Sequence, residues 1–365
     1  MTRVTIGGLR RYAIGRSVFL PGTLSEAVDL MGFVQADPIR SPARAQDLVL
    51  RHRVRGYLAG DLERHYASLD VEEDFFVNYG FLARRAQALM HPRARLGAWP
   101  APGKRTADAV MAFVRDRGRV HPREVDAHFA RGAVTNYWGG SSSATTHVLD
   151  HLHYRGLLRV AGRDAGIRLY APRETPPPPG DAAARRARLD ALVDLAVGLY
   201  APVPAATLSW LVGRLRLATP QWRLELPAAL ARARARLARA RVDGVEYFWP
   251  ANERMLDAPC DDQVRLLAPF DPVVWDRRRF EQVFGWAYRF EAYTPAAKRA
   301  RGYYAMPLLW RDRMVGLGNL SVADGALKTE FGFVTGHAPR ARGFAHGLEA
   351  EVARMRAFLG LPVTR

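Results

Sequence analysis

The sequence predicts an α+β protein with three tandem winged-helix units and a small β-rich C-terminal domain. Residues 106–171 follow the order helix, helix, helix, hairpin, and the flanking segments repeat this order less clearly. From residue 288 onward the polarity alternates and aromatic residues are frequent, which is typical of strands. With 365 residues, 48% of them apolar, the chain is long enough for several modules with separate cores.

The second winged-helix unit, residues 101–175, carries the clearest signals. Apolar residues at helical spacing predict three helices, and Gly156 ends the last of them. A glycine-containing turn between two short apolar runs predicts a hairpin. The predicted elements are helices at 106–117, from 121 and at 142–155, and strands at 157–161 and 167–171.

The first unit, residues 1–100, and the third, residues 181–257, show the same order with weaker signals, and a proline-rich linker at 175–180 precedes the third. In the first unit we expect helices at 5–19 and 23–32, a strand with Gln35 and Asp37, and a return strand at 47–53. In the third we expect helices at 182–200, 205–215 and 226–241 and a strand at 244–249.

The C-terminal domain, residues 258–365, is predicted to be mostly strands closed by one helix. Alternating, aromatic-rich runs are its main signal. The predicted elements are strands at 288–293, 302–310, 314–320 and 328–334, and a helix at 347–359.

The charge of the chain points to an anionic partner. It has 54 basic and 36 acidic residues, a formal net charge of +18 and a pI near 10.7. Codon bias exchanges lysine for arginine but does not remove acidic residues, so it does not explain this excess. A positive excess of this size is typical of nucleic-acid binding, so a polyanion, most often nucleic acid, is the predicted partner. The alternative is a merely soluble basic protein.

Other features narrow the function class. The longest apolar runs are interrupted before the roughly 20 residues that span a bilayer, and the start lacks the apolar core of an export signal, so we expect a cytoplasmic, nucleoid-associated protein without membrane contact. The single cysteine, Cys260, excludes an internal disulfide framework. His147 and His151 have a metal-ligand spacing but no evident third ligand, so no metal or cofactor is predicted, and this helix face is expected to touch phosphate when protonated.

Gln35 and Asp37 are the candidate catalytic residues. In an extended backbone, residues two apart point to the same side, so the amide and the carboxylate would share one space. Such a pair can hold a water molecule and place a negative charge beside a developing cation, which is the chemistry of glycosidic bond cleavage. The structural alternative is that Gln35 caps a turn before Pro38 and Asp37 neutralises a nearby arginine.

Basic side chains near aromatic residues are the candidate phosphate contacts. Arg277 and Arg278 follow Trp275, and Lys298 and Arg299 precede Tyr303. An exposed, solvated surface is the alternative reading of these runs. The predicted DNA-binding residues are Arg40, Arg44, Arg51, Arg53, Arg277, Arg278, Lys298 and Arg299.

Several long motifs resemble one enzyme family, the tandem winged-helix DNA glycosylases, which include AlkZ-like and YcaQ-like (AlkX) branches. The resemblance covers nearly the whole chain. It lies in residues 34–39, 157–163, 266–278, 290–299 and 303–310. It implies a monofunctional DNA glycosylase that acts on N7-alkylguanine in DNA and, in the YcaQ-like branch, on interstrand crosslinks.

The resemblance also implies that Gln35 and Asp37 form the catalytic Gln-x-Asp motif of the YcaQ-like branch. Asn78 stands where many relatives have histidine, and residues 37–47 differ from the usual branch sequence, so the preferred lesion stays open. Three winged-helix units in one chain favour a monomer. The alternative from another class is a non-catalytic winged-helix regulator, which would bind DNA and release no base.

Overall fold

The structure is a computed structural model of the 365-residue chain. It describes residues 4–17, 20, 22–93, 101–129, 133–135, 141–174, 177–255 and 260–362. The first two residues of the predicted linker and residues 18–19 of the first predicted helix lie outside these ranges.

The described chain is a mixture of helices and antiparallel strands. The helices are α1 (Ile6–Arg16), α2 (Leu24–Met31), α3 (Ala45–Leu50), α4 (Asp61–Arg64), α5 (Arg84–Ala88), α6 (Ala101–Arg117), α7 (Pro122–Phe129), α8 (Ala144–Tyr154), α9 (Ala182–Tyr200), α10 (Ala205–Arg214), α11 (Leu226–Arg236), α12 (Arg277–Phe284) and α13 (Arg342–Phe358). The strands are β1 (Phe33–Gln35), β2 (Val71–Phe75), β3 (Tyr79–Ala83), β4 (Ala133–Thr135), β5 (Ser141–Ser143), β6 (Leu158–Asp164), β7 (Ile167–Pro172), β8 (Val203–Pro204), β9 (Ala238–Val242), β10 (Val245–Trp249), β11 (Val264–Leu266), β12 (Met306–Trp310), β13 (Arg313–Ala323) and β14 (Ala326–Phe333). Across the described ranges, every helix is too short or too polar to cross a membrane.

Two compact units divide the chain, and each is assembled from separate segments. The larger unit comprises Met1–Asp61, Asp194–Leu211 and Leu230–Arg365, and the smaller unit comprises Leu62–Val193 and Val212–Ala229. The four-part division along the sequence stays a prediction.

Two antiparallel sheets organise the larger unit. In one sheet β10 lies between β8 and β9, and in the other the strand order is β11, β12, β13, β14. A buried apolar core joins Ile14 of α1, Phe280 of α12 and Leu309 of β12. A second core joins Leu9 of α1 to Tyr247 of β10. Apolar contacts with residues of both sheets therefore hold α1 in place.

The smaller unit contains the order helix, helix, helix, hairpin that was predicted for residues 106–171. The helices are α6, α7 and α8, and β6 pairs with β7 in an antiparallel hairpin. The short paired strands β4 and β5 lie between α7 and α8. One buried residue from each helix and one from the hairpin are Val114, Val125, Leu149 and Tyr170. These elements pack together through their apolar faces.

Buried carboxylates of β2 are neutralised within the smaller unit. Asp74 Oδ1 accepts a hydrogen bond from Arg93 Nη1 at 2.8 Å, and Asp74 Oδ2 lies 2.8 Å from His91 Nε2. Glu73 Oε1 accepts one from Arg163 Nε at 2.9 Å. Burial alone would raise the pKa of both carboxyls, but the neighbouring arginines lower the pKa of each below its ordinary value. Both carboxylates are therefore ionised and paired with basic side chains inside the folded protein.

Two predicted elements have a different secondary structure. Residues 47–50 of the predicted return strand at 47–53 belong to the helix α3. All residues of α3 are buried, so they lack the alternation between a buried and an exposed face that a half-buried strand shows. The predicted helix at 226–241 ends at Arg236, where α11 gives way to β9. The Ala-Arg alternation of residues 238–242 has a period of two, and these residues alternate in burial as a strand paired with β10.

The predicted strand at 288–293 is irregular backbone. Side chains hold it in place, because the Tyr288 hydroxyl donates to Ala305 O and the Glu291 carboxylate accepts from Arg301 N, each at 2.7 Å. The other predicted elements of the C-terminal segment are present with shifted ends, as β12, β13, β14 and α13.

A buried ion pair joins distant segments of the larger unit. Arg53 Nη1 and Nη2 donate to Asp271 Oδ2 and Oδ1 at 2.8 and 3.2 Å, and neither side chain is exposed. Arg53 also donates from Nε to Ser17 O at 2.8 Å and from Nη1 to Val49 O at 2.7 Å. The guanidinium is therefore almost fully hydrogen-bonded inside the protein.

Arg53→Ala should strongly destabilise the protein, because Asp271 would stay buried without its counter-charge. We expect a loss of about 3–5 kcal/mol in the free energy of unfolding, measured by urea denaturation. The exposed Arg278 provides a control, and Arg278→Ala should change this free energy by less than about 0.5 kcal/mol. Equal, small effects of the two substitutions would contradict the structural role of the ion pair.

Candidate active site and DNA-binding residues

A helix with well-defined ends positions the predicted catalytic motif. Thr23 and Glu26 form a capping box at the start of α2, in which Thr23 Oγ1 accepts from Glu26 N at 3.2 Å and the Glu26 carboxylate accepts from Thr23 N at 2.8 Å. The helix ends at Gly32, which has a φ of +66° and whose added Cβ would lie 2.2 Å from Leu195 Cδ1. Leu195 therefore packs closely against the backbone of Gly32. Because β1 begins at the next residue, this packing helps to position Gln35.

Gln35 ends β1, so the predicted strand with Gln35 and Asp37 is shorter than expected, and Asp37 lies in the turn that follows it. The first two residues of β1 are buried, whereas Gln35 and Asp37 are half-buried. Asp37 Oδ1 accepts a hydrogen bond from Ile39 N at 2.9 Å, which closes a turn across Pro38. Among the described residues, Asp37 forms no ion pair with a basic side chain. The structural alternative, in which Asp37 neutralises a nearby arginine, is therefore not found among the described residues.

Partial burial shifts the pKa of the Asp37 carboxyl. Burial raises the pKa of its carboxyl above the ordinary value, and the hydrogen bond from Ile39 offsets only part of this shift. A carboxylate with reduced solvation interacts more strongly with a nearby cation than one in bulk water. The Gln35 amide carries no charge and can both donate and accept hydrogen bonds. Chemically, the pair can face a developing cation and orient a water molecule.

The negative charge of Asp37 acts on two tyrosines. Burial raises the pKa of Tyr293 and Tyr304, and the negative charge of Asp37 raises both further, so the two hydroxyls are within its electrostatic reach. Phe290 lies between the two tyrosines, with ring centroids 6.1 Å from Tyr293 and 5.3 Å from Tyr304. Phe270 packs against Phe290 at 5.3 Å. Sequence reasoning did not assign these residues to the catalytic site, although all of them lie in motifs that carry the family resemblance.

Two of the predicted DNA-binding arginines are buried in ion pairs. Arg53 is 1% exposed and bound to Asp271. Arg51 pairs with the buried Glu351, and its Nη2 donates to Leu266 O at 3.0 Å. Because both guanidinium groups face internal acceptors, they do not contact DNA phosphates in this conformation. The prediction for Arg51 and Arg53 is corrected accordingly, since they stabilise the larger unit.

Adjacent arginines at the start of α12 have different surroundings. Arg277 is half-buried, and its guanidinium lies 4.5 Å from the ring centroid of Tyr288 while Nη1 donates to Val274 O at 2.5 Å. Burial lowers the pKa of Arg277. Arg278 is exposed, and the Asp276 side chain caps the helix by accepting from Arg278 N at 3.1 Å. Arg278 is therefore the better placed of the two for a phosphate contact.

The remaining four basic candidates are at least partly open to solvent. Lys298 is exposed, and the half-buried Arg299 has its guanidinium 4.9 Å from the ring centroid of Tyr303. Arg40 is exposed and pairs through its backbone with the half-buried Arg44, which precedes α3. All four stay predicted DNA-binding residues.

His147 and His151 both lie in α8. Over the part of the chain that the structure describes, no three His, Cys, Asp or Glu side chains are grouped so that they could hold a metal ion. Burial lowers the pKa of His151, and the charge of Arg155 lowers it further. The cationic form that a phosphate contact would need is therefore disfavoured at neutral pH.

Asn78 lies at the turn between β2 and β3. Its Oδ1 accepts from Arg214 Nη2 at 2.8 Å, and Arg214 Nε donates to Val77 O at 3.0 Å. Arg214 thus binds both the side chain of Asn78 and the backbone carbonyl of Val77 in this turn. Asn78 therefore has a structural contact of its own.

Comparison with solved structures supports the fold and its class. The chain is similar to the Streptomyces sahachiroi DNA glycosylase AlkZ, with a TM-score of 0.64 and 15% sequence identity over 99% of this chain and 98% of that chain. At this identity the similarity concerns the fold. The model of the family "DNA glycosylase AlkZ-like" matches residues 28–358. The chain therefore belongs to the AlkZ-like DNA glycosylase family. It is a hydrolase of N-glycosyl bonds in DNA repair.

Arg278→Ala and Lys298→Ala should each weaken binding to undamaged duplex DNA, to a similar extent for all sequences, because phosphate contacts carry no base information. The slope of log K against log salt concentration should become shallower by about one for each phosphate that the variant no longer neutralises. Fluorescence anisotropy titrations at several salt concentrations measure this slope. Lys328, an exposed lysine of β14, provides the control, and Lys328→Ala should leave the slope unchanged. Unchanged slopes in the two test variants would place the DNA-binding surface elsewhere.

Proposed function

We propose that this glycosylase hydrolyses the N-glycosidic bond of alkylated purines in double-stranded DNA, N7-alkylguanine above all, and that its substrates include interstrand crosslinks. The environment of the Asp37 carboxyl is the observation that supports this proposal most directly. The carboxyl is half-buried, its pKa is raised, and it has no ion pair among the described residues. Gln35 and Asp37 also match the Gln-x-Asp motif of the branch that the sequence resembles.

The proposed reaction needs no strong acid. Alkylation at N7 makes the guanine cationic, so the base leaves as a neutral molecule when the C1′–N9 bond breaks and takes the bonding electron pair with it. The sugar becomes an oxocarbenium cation, which the Asp37 carboxylate stabilises. Water then adds to C1′, and its proton passes to Asp37 and on to solvent. The Gln35 amide orients this water or the sugar.

The proposed DNA complex contains one protein chain. We infer that α6, α7, α8 and the β6–β7 hairpin form one of three tandem winged-helix units, and the similarity in fold to AlkZ supports this arrangement. The protein would bind duplex DNA as a monomer and act on the nucleoid in the cytoplasm. The residues proposed to contact phosphates are Arg40, Arg44, Arg278, Lys298 and Arg299.

Asp37→Asn should reduce single-turnover base release from N7-methylguanine duplex by about 10²-fold or more, because it removes the charge that faces the oxocarbenium. DNA affinity should change little, since the substitution alters no phosphate contact. Gln35→Ala should slow release less if the amide only orients. Near-normal release by Asp37→Asn would refute the catalytic assignment, and no release by the wild-type protein would favour a non-catalytic DNA-binding role.

The pH dependence gives this prediction a second readout. Because the carboxylate is the active form, wild-type base release should fall as the pH drops through the raised pKa of Asp37. Asp37→Asn should lack this acid limb, and its residual rate should stay flat over the same range.

The enzyme should produce abasic sites without cutting the strand or requiring a metal. A lyase step needs an amine that forms a Schiff base with the sugar, and the chain has three lysines, Lys104, Lys298 and Lys328, besides its N-terminal amine. Alkylated duplex should be incubated with enzyme and chelator, then treated with borohydride or with alkali. We expect strand breaks only in the enzyme-treated samples that are then treated with alkali. A trapped protein–DNA adduct would refute hydrolysis by water, and loss of base release in chelator would refute metal independence.

A further inference from the structure

Two tyrosine rings are exposed to solvent on one short stretch between α12 and β12, residues 290–303, here called the tyrosine segment. Tyr293 is 74% exposed and Tyr303 is 42% exposed, whereas every other tyrosine that the structure describes is buried or half-buried. The exposed Lys298 and the half-buried Arg299 lie on the same segment. Single exposed apolar side chains are common on protein surfaces, but aromatic rings grouped with cations are typical of surfaces that bind the bases and phosphates of nucleic acids.

Hydrogen bonds hold the backbone of the tyrosine segment in place. Arg299 Nε donates to Thr294 O at 2.7 Å, within the segment. Arg301 N donates to the carboxylate of the buried Glu291 at 2.7 Å, and Asn319 of β13 donates from Nδ2 to Arg301 O at 2.8 Å. Side chains that are positioned before binding lose less conformational freedom when they bind. The segment is therefore suited to present its exposed rings to a ligand.

The two exposed rings have different neighbours. The guanidinium of Arg299 lies over the ring of Tyr303, 4.9 Å from its centroid, so a cation already covers part of this ring. Tyr293 instead contacts Phe290, with centroids 6.1 Å apart and an interplanar angle of 80°, and Phe290 packs against Phe270 at 5.3 Å. The Tyr293 ring is thus supported by a pair of aromatic rings while most of its surface stays open. It is the better placed of the two for a planar ligand.

We propose that Tyr293 stacks on a nucleobase of bound DNA that has left the helical stack, while Lys298 contacts a neighbouring phosphate. A paired base in a duplex has both faces covered by its neighbours, so an added aromatic ring requires a base that is unpaired. The net charge of +18 and the cations of the segment complement the DNA backbone beside such a base. This inference rests on the proposed function for its duplex DNA substrate and does not depend on which lesion is preferred.

Tyr293→Ala tests the proposal because it removes the ring from an exposed position, so the variant should melt at the wild-type temperature. Tyr293→Phe keeps the ring, and Leu224→Ala is the matched control for loss of another exposed apolar side chain. Affinity should be measured by fluorescence anisotropy on three duplexes of one sequence without alkylated bases. The first is fully paired, the second has tetrahydrofuran opposite one guanine, which leaves that guanine unpaired, and the third has tetrahydrofuran on both strands.

We expect Tyr293→Ala to bind the duplex with the unpaired guanine about tenfold more weakly than the wild-type protein does. Its affinity for the other two duplexes should be that of the wild-type protein, because neither offers an unpaired base at this position. Tyr293→Phe and Leu224→Ala should match the wild-type protein on all three. Wild-type affinity of Tyr293→Ala for the unpaired guanine would overturn the inference, as would an equal loss of affinity for all three duplexes.

Base release identifies the base that stacks. Single-turnover release of N7-methylguanine should be compared for lesions opposite cytosine and opposite tetrahydrofuran. If Tyr293 stacks on the damaged base, Tyr293→Ala should slow release from both duplexes, and if it stacks on the opposite cytosine, release should slow in the first duplex alone. Wild-type rates on both would overturn the inference for alkylated DNA. No base release by the wild-type protein would overturn the proposed lesion chemistry, and the affinities would still decide the role of Tyr293.

Discussion

The buried ion pair between Arg53 and Asp271 joins segments 218 positions apart within the larger unit, and Asp37 belongs to the same unit. Arg53 follows α3, close in sequence to the strand that leads to Asp37. Next to Asp271, Phe270 packs against Phe290, whose ring in turn contacts Tyr293 and Tyr304. A buried pair with this geometry is costly to break, because either partner alone would remain charged and desolvated. It therefore fixes the segment around Arg53 against the segment around Asp271 and Phe270.

Two opposite electrostatic requirements are met by different parts of this protein. DNA binding needs positive charge at the surface, and the net charge of +18 together with exposed residues such as Arg278 and Lys298 supplies it. Cleavage through an oxocarbenium needs a negative charge near the sugar. In the proposed function Asp37 provides this charge from a half-buried position, where bulk solvent and salt screen it less. Within the described residues, the excess of arginine therefore leaves the proposed catalytic carboxylate without an ion pair.

Local patterns predicted much of the fold, and long-range contacts account for most of the errors. The period-two signal predicted a strand through Gln35 and Asp37, but β1 ends at Gln35 and the Asp37 side chain accepts a hydrogen bond in the turn that follows. The strand at 238–242 could not be separated from the helix before it, because the same Ala-Arg alternation also runs through residues 231–236 of α11. Arg53 could not be separated from surface arginines, because its partner Asp271 is far away in sequence.

Whether Asp37 stabilises a cationic sugar can be tested by measuring DNA affinity, without following base release. Duplex DNA containing a cationic pyrrolidine in place of one nucleoside imitates the oxocarbenium, whereas a neutral tetrahydrofuran at the same position has nearly the same shape without the charge. We expect the wild-type protein to bind the cationic duplex more tightly, and Asp37→Asn to bind both duplexes equally. Equal affinity of the wild-type protein for the two duplexes would contradict the electrostatic role of Asp37.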